Sequence, residues 1–173
     1  MPQSEINRNI NWYALYTRPR HEFKAAQQLA NIKLEYYLPT TTKLKQWSDR
    51  KKKVTEPIFR GYIFIHCDER GRLDALQQNS IVKTISFHGK PAIVPEWQIE
   101  NLKKLLEGNP DIIVSDQIKE GAKIKVVSGP FKDVEGIVTY IKNERMLAIT
   151  IDTLHRSILV TLPAESVVKK VDS

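Results

Sequence analysis

The residues of this chain that could do chemistry are mainly cationic, and they are concentrated in one short segment. Between Lys43 and Lys53 there are six basic residues against a single acidic one, Asp49. The six are Lys43, Lys45, Arg50, Lys51, Lys52 and Lys53. Lysine and arginine bind phosphate oxygens and release counterions, so such binding weakens as salt rises. A solvated charged surface is the alternative for such a run, but the excess of cations favours a phosphate-bearing partner.

The composition of the whole chain also indicates an anionic partner. Its 173 residues include 27 Lys plus Arg against 20 Asp plus Glu, a formal net charge of +7. Nucleic acid, an anionic membrane surface or an acidic protein would fit this charge. No apolar run approaches the roughly 18 residues of a spanning helix, and the first dozen residues lack the apolar segment of a secretory signal. We therefore expect a cytoplasmic protein without a membrane partner.

Side chains with catalytic or metal-binding potential are scattered along the sequence. Four histidines lie far apart, namely His21, His66, His88 and His155. None has metal-ligand spacing to another histidine or to Cys67, and Cys67 in YIFIHC is expected to pack as a small apolar side chain. Gly129 and Gly136 are too widely separated for a phosphate-binding loop, and no Gly-Lys-Ser/Thr follows them. We expect no enzymatic activity, no metal and no cofactor.

Strands and helices that alternate along the first two thirds of the chain must position the cations. Residues 11–17, NWYALYT, are apolar on both alternating faces, as in a central strand. Apolar residues then recur at helical spacing over 20–30. Two β-prone runs joined at residues 48–50 predict a long hairpin with the cations at its tip. Another strand, a short helix, a strand and a helix are predicted over residues 61–67, 72–77, 82–87 and 95–108.

The last third of the chain has no helical pattern. Residues 108–120 show no amphipathic period and are predicted to be a linker. Five short β-prone runs from Gly121 onward predict a small barrel, with Gly129 and Gly136 expected at chain reversals that a Cβ would hinder. The fold class is therefore α+β, an antiparallel sheet with flanking helices followed by a β-barrel. The expected domains are residues 1–107, a linker over 108–120, and 121–173.

Several of these segments resemble a known family. Residues 121–141, GAKIKVVSGPFKDVEGIVTYI, resemble the KOW motif. WYALYT (12–17) and IFRGYIFI (58–65) resemble the two core strands of the N-terminal domain of the NusG family of transcription elongation factors. The similarity runs in the right order from about Trp12 to Lys170. It implies an NGN-like N-terminal domain followed by an SH3-like KOW β-barrel, and KPAIVP (90–95) with TRPRHE (17–22) resembles the specialised RfaH/UpxY type of antiterminator.

The resemblance implies binding to RNA polymerase. In that family the N-terminal domain holds the polymerase clamp through an apolar depression, reaches the opposite lobe with a loop, and suppresses pausing. The loop corresponds to the region near Arg70 to Gln78. Large aromatic side chains suit such a binding anchor. The matching residues here are Tyr16, Phe59, Tyr62, Phe64, Ile99 and Leu102.

It also implies contacts to nucleic acid and to a second protein. The residues that match the side of the family facing upstream and non-template DNA are Arg18, Arg20, Lys24, Lys51, Lys52 and Lys53. The barrel would recruit a small-subunit ribosomal protein or the termination factor Rho, through a loop that matches Thr153, Leu154, His155 and Arg156. Glycines and β-branched residues favour a barrel over a helical hairpin in this segment, so its polymerase-binding face need not be masked by a refolded tail. We expect a monomer.

Two other functions fit the same residues. A housekeeping factor of this family would act with Rho and raise Rho-dependent termination. A KOW-containing RNA-binding or ribosome-associated protein would instead bind folded RNA by shape and phosphate, without polymerase.

Overall fold

The computed structural model describes residues 9–171, so most of the N-terminal dozen and the last two residues of the expected barrel domain lie outside the described residues. The helices are α1 Glu22–Asn31, α2 Glu69–Leu76 and α3 Glu96–Leu106. The first strands are β1 Asn11–Thr17, β2 Glu35–Tyr37, β3 Thr40–Gln46, β4 Lys51–Pro57, β5 Tyr62–Cys67, β6 Ile81–Thr84, β7 Ser86–Phe87, β8 Lys90–Pro91 and β9 Ile93–Val94. The later ones are β10 Ile113–Asp116, β11 Ala122–Val126, β12 Glu135–Ile141, β13 Glu144–Ile151, β14 Arg156–Thr161 and β15 Val168–Lys170.

These elements form two compact units. The first, which we call the sheet unit, contains the residues through Thr40 together with Phe59–Val94. The second, the barrel unit, contains Thr41–Ile58 and the residues from Pro95 onward. The barrel unit therefore includes the β3–β4 hairpin and helix α3 as well as the C-terminal strands.

The sheet unit is built on the predicted central strand β1. Its antiparallel sheet has the order β2-β5-β1-β6, and β9 also pairs with β1. Successive side chains of a strand point to opposite faces, and one face of β1 and β5, with Tyr13, Leu15, Ile63 and Ile65, packs in a buried core that includes Leu29 of α1 and Ala75 of α2. Trp12 and Ala14, on the opposite face of β1, are buried too. Both faces of this strand are therefore covered, as expected for a central strand.

The C-terminal strands of the barrel unit form one antiparallel sheet. Its order is β10-β14-β13-β12-β11-β15, and its strands β11 to β15 correspond to the five predicted runs. The α+β fold class is thus confirmed, with the barrel segment in strands rather than helices. The segment predicted as a linker contains a further strand, β10, whose Val114 pairs with Ile158 of β14.

Of the two glycines expected at chain reversals, one is at a turn and the other is not. Gly129 has a φ of +104° in the turn after β11, a conformation that residues with a Cβ rarely adopt. Gly136 lies inside β12, where a Cβ would be 2.5 Å from the carbonyl oxygen of Ala148 on β13. The expectation for Gly136 was therefore wrong, because this glycine permits close approach of two strands instead of a reversal.

The described helices are short. The longest, α3, has 11 residues, and among residues 9–171 none combines the length and apolarity needed to cross a membrane.

Candidate functional site

Four residues of the predicted polymerase-binding set lie in the sheet unit, and two of them, both tyrosines, are accessible to solvent. Tyr16 of β1 pairs directly with Tyr62 of β5, and their rings meet edge to face with centroids 5.5 Å apart. Both side chains are half-buried. Lys83 of β6, the register partner of Tyr16, places its Nζ 6.0 Å from the Tyr16 ring centroid. The pair therefore presents aromatic surface beside a cation.

The turn before β5 fixes the position of this pair. Gly61 has a φ of +86°, and a Cβ there would lie 3.2 Å from Cε2 of Tyr16. The carboxylate of Glu22, buried at the start of α1, accepts a hydrogen bond of 2.8 Å from the Gly61 N–H. The Gly61 carbonyl in turn accepts from the Thr17 N–H at 2.8 Å. The tyrosines are thus held by backbone and a buried carboxylate.

Phe59 and Phe64 belong to the interior. Their exposed fractions are 3% and 0%, and their rings meet edge to face at 6.2 Å. Phe64 is also stacked with Tyr37 of β2 at 6.4 Å. These phenylalanines support the strands that carry the tyrosines.

The two remaining members of the predicted set, Ile99 and Leu102, lie on α3 in the barrel unit, and both are fully buried. The same helix is hydrogen-bonded to the C-terminal strands. The Asn101 amide bonds both backbone groups of Glu135 on β12, donating to its carbonyl and accepting from its N–H at 2.9 Å. Gln98 donates to the Asp152 carboxylate at 2.8 Å. The two residues of α3 that were predicted to bind polymerase are therefore on a helix that contacts the barrel.

Sequence reasoning missed Gln98 and Asn101. Both side chains are buried, but polar residues on a helix otherwise indicate its solvent face. Beside their hydrogen bonds lies a cleft of about 450 Å³, lined by α3, by residues 117–119 and by β11 to β13. The contact between α3 and the barrel therefore includes buried polar groups and is incompletely filled.

The predicted DNA-facing cations of the sheet unit lie close together in sequence and are all exposed. Arg18 and Arg20 occupy the turn after β1, and Lys24 is in the first turns of α1. The turn is held by the Arg18 N–H, which donates to the Ser80 carbonyl at 2.9 Å. Arg20 has a φ of 62°. The backbone thus turns both arginines into solvent.

The other three predicted DNA-facing cations are on the β3–β4 hairpin of the barrel unit. Lys51, Lys52 and Lys53 are all exposed, as is every residue from 43 to 53. The hairpin closes at Trp47, whose N–H donates to the Arg50 carbonyl at 2.7 Å. The prediction of a hairpin with charge at its tip is confirmed.

The predicted partner-binding loop of the barrel is half buried. Thr153 and Leu154 lie in a single 3-10 turn after β13, and each is only 6% exposed. His155 and Arg156 are exposed, and His155 has a left-handed φ of 51°. Only the last two of the four predicted residues therefore offer surface to a second protein.

The region where the resemblance expects a lobe-contacting loop is largely helical. Helix α2 begins after Asp68, whose carboxylate accepts from the Gly71 N–H at 2.9 Å. Buried Arg72 donates to Glu69 and to Thr84 of β6, and its hydrogen bond lowers the pKa of Glu69. The short predicted helix is confirmed, and of the expected loop region only the residues between α2 and β6 lie outside regular secondary structure.

Cys67 is buried in the core of the sheet unit, as predicted. Burial and, next, the Asp68 carboxylate raise the pKa of its thiol from 9.0 to about 11. Within residues 9–171 no group of three or more His, Cys, Asp or Glu side chains has the geometry to hold a metal ion.

We expect Cys67 to react slowly with a thiol reagent in the folded protein near neutral pH, since the thiolate is the reactive form. The unfolded chain should react at once. The fold favours the protonated thiol, so this group contributes to the free energy of unfolding. Its contribution is complete below pH 9.0 and is lost as the pH rises through about 11. Urea unfolding of Cys67→Ala, measured across this range, should show a smaller alkaline loss. Rapid labelling of the native protein would contradict the burial.

Comparison with known proteins gives one consistent result. The family model for the transcription termination factor nusG matches residues 10–103. The transcription termination/antitermination protein NusG of Thermus thermophilus is 27% identical, over 93% of this chain and 99% of that protein. The protein of the same description from Borreliella burgdorferi is 25% identical, over 84% of this chain and 91% of its own length.

A solved structure concerned with domain interaction in Thermotoga maritima NusG shares the fold. Its TM-score is 0.51 at 19% identity, and the match covers 95% of this chain and 98% of that one. The family is one of transcription factors and not of enzymes. Since its model spans more than half of the sequence, the chain belongs to the NusG family of transcription termination and antitermination factors.

Proposed function

We propose that this chain is an elongation factor of the specialised antiterminator type. It binds RNA polymerase through residues 1–107, suppresses pausing and termination, and recruits a second protein through a KOW domain over residues 121–173, with residues 108–120 between them. The observation that carries the proposal is the Tyr16–Tyr62 pair beside Lys83, half-buried within the region matched by the family. Tyrosine is suited to an interface because it combines apolar area with a polar tip.

Among the residues proposed to bind the polymerase clamp, we assign different roles to the tyrosines and the phenylalanines. Tyr16 and Tyr62 touch the clamp directly. Phe59 and Phe64 keep the underlying strands in place from the core. Suppression of pausing follows if the factor binds the active conformation of polymerase more tightly than the paused one.

Ile99 and Leu102 can reach polymerase only after α3 exposes them. Buried hydrogen bonds and an unfilled cleft between α3 and the barrel support a reversible separation, since small and partly polar contacts allow relative motion. A binding-competent state that is only partly populated lowers the apparent affinity in proportion. The barrel thus restrains polymerase binding although it is already folded as strands, whereas the sequence suggested only that a refolded tail need not mask the polymerase-binding face.

The proposed DNA contacts come from two exposed sets of cations, Arg18, Arg20 and Lys24 in one unit and Lys51, Lys52 and Lys53 in the other. These cations would bind the phosphates of the upstream duplex and of the non-template strand. His155 and Arg156 are the exposed residues proposed to contact a ribosomal protein or Rho.

A housekeeping role with Rho is the second candidate, supported by relatives described as both termination and antitermination proteins. The two roles differ in one measurable outcome. The antiterminator lowers Rho-dependent termination in a purified system, and the housekeeping factor raises it.

The experiment that tests the proposal uses a reconstituted elongation complex, with pause lifetime and read-through scored with and without the protein. We expect shorter pauses with the wild type and loss of this effect with Tyr62→Ala, which removes one ring of the half-buried Tyr16–Tyr62 pair. Tyr140→Ala is a matched control, because Tyr140 is 67% exposed on β12 and lies outside the proposed interface. A folded wild-type protein that ignores the complex and binds structured RNA alone would replace the proposal with the RNA-binding alternative.

A further inference from the structure

The tip of the β3–β4 hairpin carries a tryptophan that the fold does not use. Trp47 is 50% exposed, although an indole is among the largest apolar groups a protein can bury. Its backbone N–H closes the turn on Arg50, so the ring is presented from a fixed point. The hairpin is a separate two-stranded sheet.

The side chains on the same face of the hairpin are cationic. Alternation along β3 places Lys43 and Lys45 on the Trp47 side, and Lys52 of β4 holds its Nζ 5.0 Å from the indole centroid. Lys45 forms an ion pair with Glu56. Within residues 9–171, Trp47 makes no further ring contact and Lys52 makes no ion pair, so one aromatic group and several cations face the solvent together.

The base of the hairpin is held while its tip is open. Thr42 donates its N–H to the Asn109 side chain at 3.1 Å, and the Asn109 amide donates back to the Thr42 carbonyl at 2.8 Å. The Thr42 hydroxyl also bonds that of Thr55 on β4 at 2.9 Å. A ring on a tethered support loses less freedom on binding than one on a loose loop.

An exposed flat ring among cations fits one class of ligand better than the others. An acidic protein would satisfy the lysines and leave the indole without a partner. Duplex DNA offers phosphates but keeps its base faces stacked. A single strand offers both, since unpaired bases stack on aromatic side chains while basic residues follow the phosphates.

We propose that Trp47 stacks on an unpaired base of single-stranded DNA and that the hairpin cations bind the flanking phosphates. The inference rests on the proposed function, because a transcription bubble supplies such a strand. It adds a base contact at the hairpin tip to the phosphate contacts already assigned to Lys51, Lys52 and Lys53.

The test uses the full-length chain with Trp97→Phe, so that the accessible indole is Trp47 while Trp12 stays buried. A thymidine oligonucleotide should quench the fluorescence, whereas an abasic oligonucleotide with the same number of phosphates should not. Trp47→Leu should weaken binding about tenfold, within the range of one lost stacking contact, and Trp47→Phe should restore part of it.

The salt dependence separates stacking from phosphate binding. Trp47→Leu should leave the slope of log affinity against log salt unchanged. The three lysines on the Trp47 face, Lys43, Lys45 and Lys52, changed together to Gln should flatten the slope by about 2, at roughly 0.7 per phosphate of a single strand. A matched triple change to Gln at the exposed barrel residues Lys132, Lys169 and Lys170 should alter neither the slope nor the quenching.

Four outcomes would overturn the inference, namely equal binding by Trp47→Leu, equal quenching by the abasic strand, tighter binding to duplex DNA, and tighter binding to RNA of the same sequence. In the elongation complex, failure of the proposed function appears as no effect of the wild type. Failure of this inference alone appears as a wild-type effect that Trp47→Leu retains in full.

Discussion

Replacing Phe64 by Ala should lower the free energy of unfolding by about 3–5 kcal/mol. The Phe64 side chain is 0% exposed, and its loss leaves a cavity between the rings of Phe59 and Tyr37. Urea unfolding with an unchanged m value would measure the loss. This is the largest stability effect we expect from a single side chain of the proposed polymerase-binding set.

Tyr62→Ala is the matched control, because Tyr62 lies on the same strand and is only half-buried. Its effect on unfolding should be clearly smaller. A cost below about 1 kcal/mol for Phe64→Ala would place this ring outside the core and restore it as a surface anchor. With the expected result, loss of polymerase binding by a Phe64 variant reports on folding, so Tyr62 is the residue to change in functional assays.

Asn101→Leu should loosen α3 from the barrel. The substitution keeps the side-chain size but removes both hydrogen bonds to Glu135, at a cost of about 2 kcal/mol. That corresponds to about a 30-fold shift of the equilibrium toward separation. Native-state hydrogen exchange should show the matching loss of protection at the Glu135 amide, and polymerase binding should become tighter.

Asn109→Gly provides the control for this prediction. Asn109 makes the same kind of paired amide contact, but to Thr42 at the base of the hairpin, and glycine tolerates its φ of 52°. It should leave the Glu135 amide protected. If Asn101→Leu also leaves that amide protected, the hydrogen bonds do not hold the helix to the barrel.

The sequence predicted the elements whose signal is local. The bounds of β1 were predicted because residues 11–17 are apolar on both faces of a strand, and α3 was predicted from Pro95 at its start together with its apolar spacing. The charged hairpin was also found, because its turn residues separate two β-prone runs. Each of these patterns depends on neighbours in the chain.

The features that were missed depend on partners distant in sequence. Strand β10 has only four residues, and it is a strand because it pairs with β14. Gly136 was mistaken for a turn glycine, since nothing near it in sequence reveals the Ala148 carbonyl. A polar residue such as Asn101 is normally found on the solvent-exposed face of a helix, and the sequence does not show that its partner is the backbone of Glu135. The burial of Phe59 and Phe64 was likewise undetermined, because buried and interfacial aromatics have the same residue types.

Strand β10 sets how far α3 can travel from the barrel. While β10 stays paired with β14, only Glu107 to Ile112 separate it from α3, a connection of six residues that spans ~20 Å when fully extended. A helix released on so short a linker would keep an effective concentration in the millimolar range relative to the barrel. If α3 binds RNA polymerase as proposed, the polymerase would have to displace a barrel that stays close to the helix. Loss of the β10–β14 pairing would more than double the distance that α3 could move.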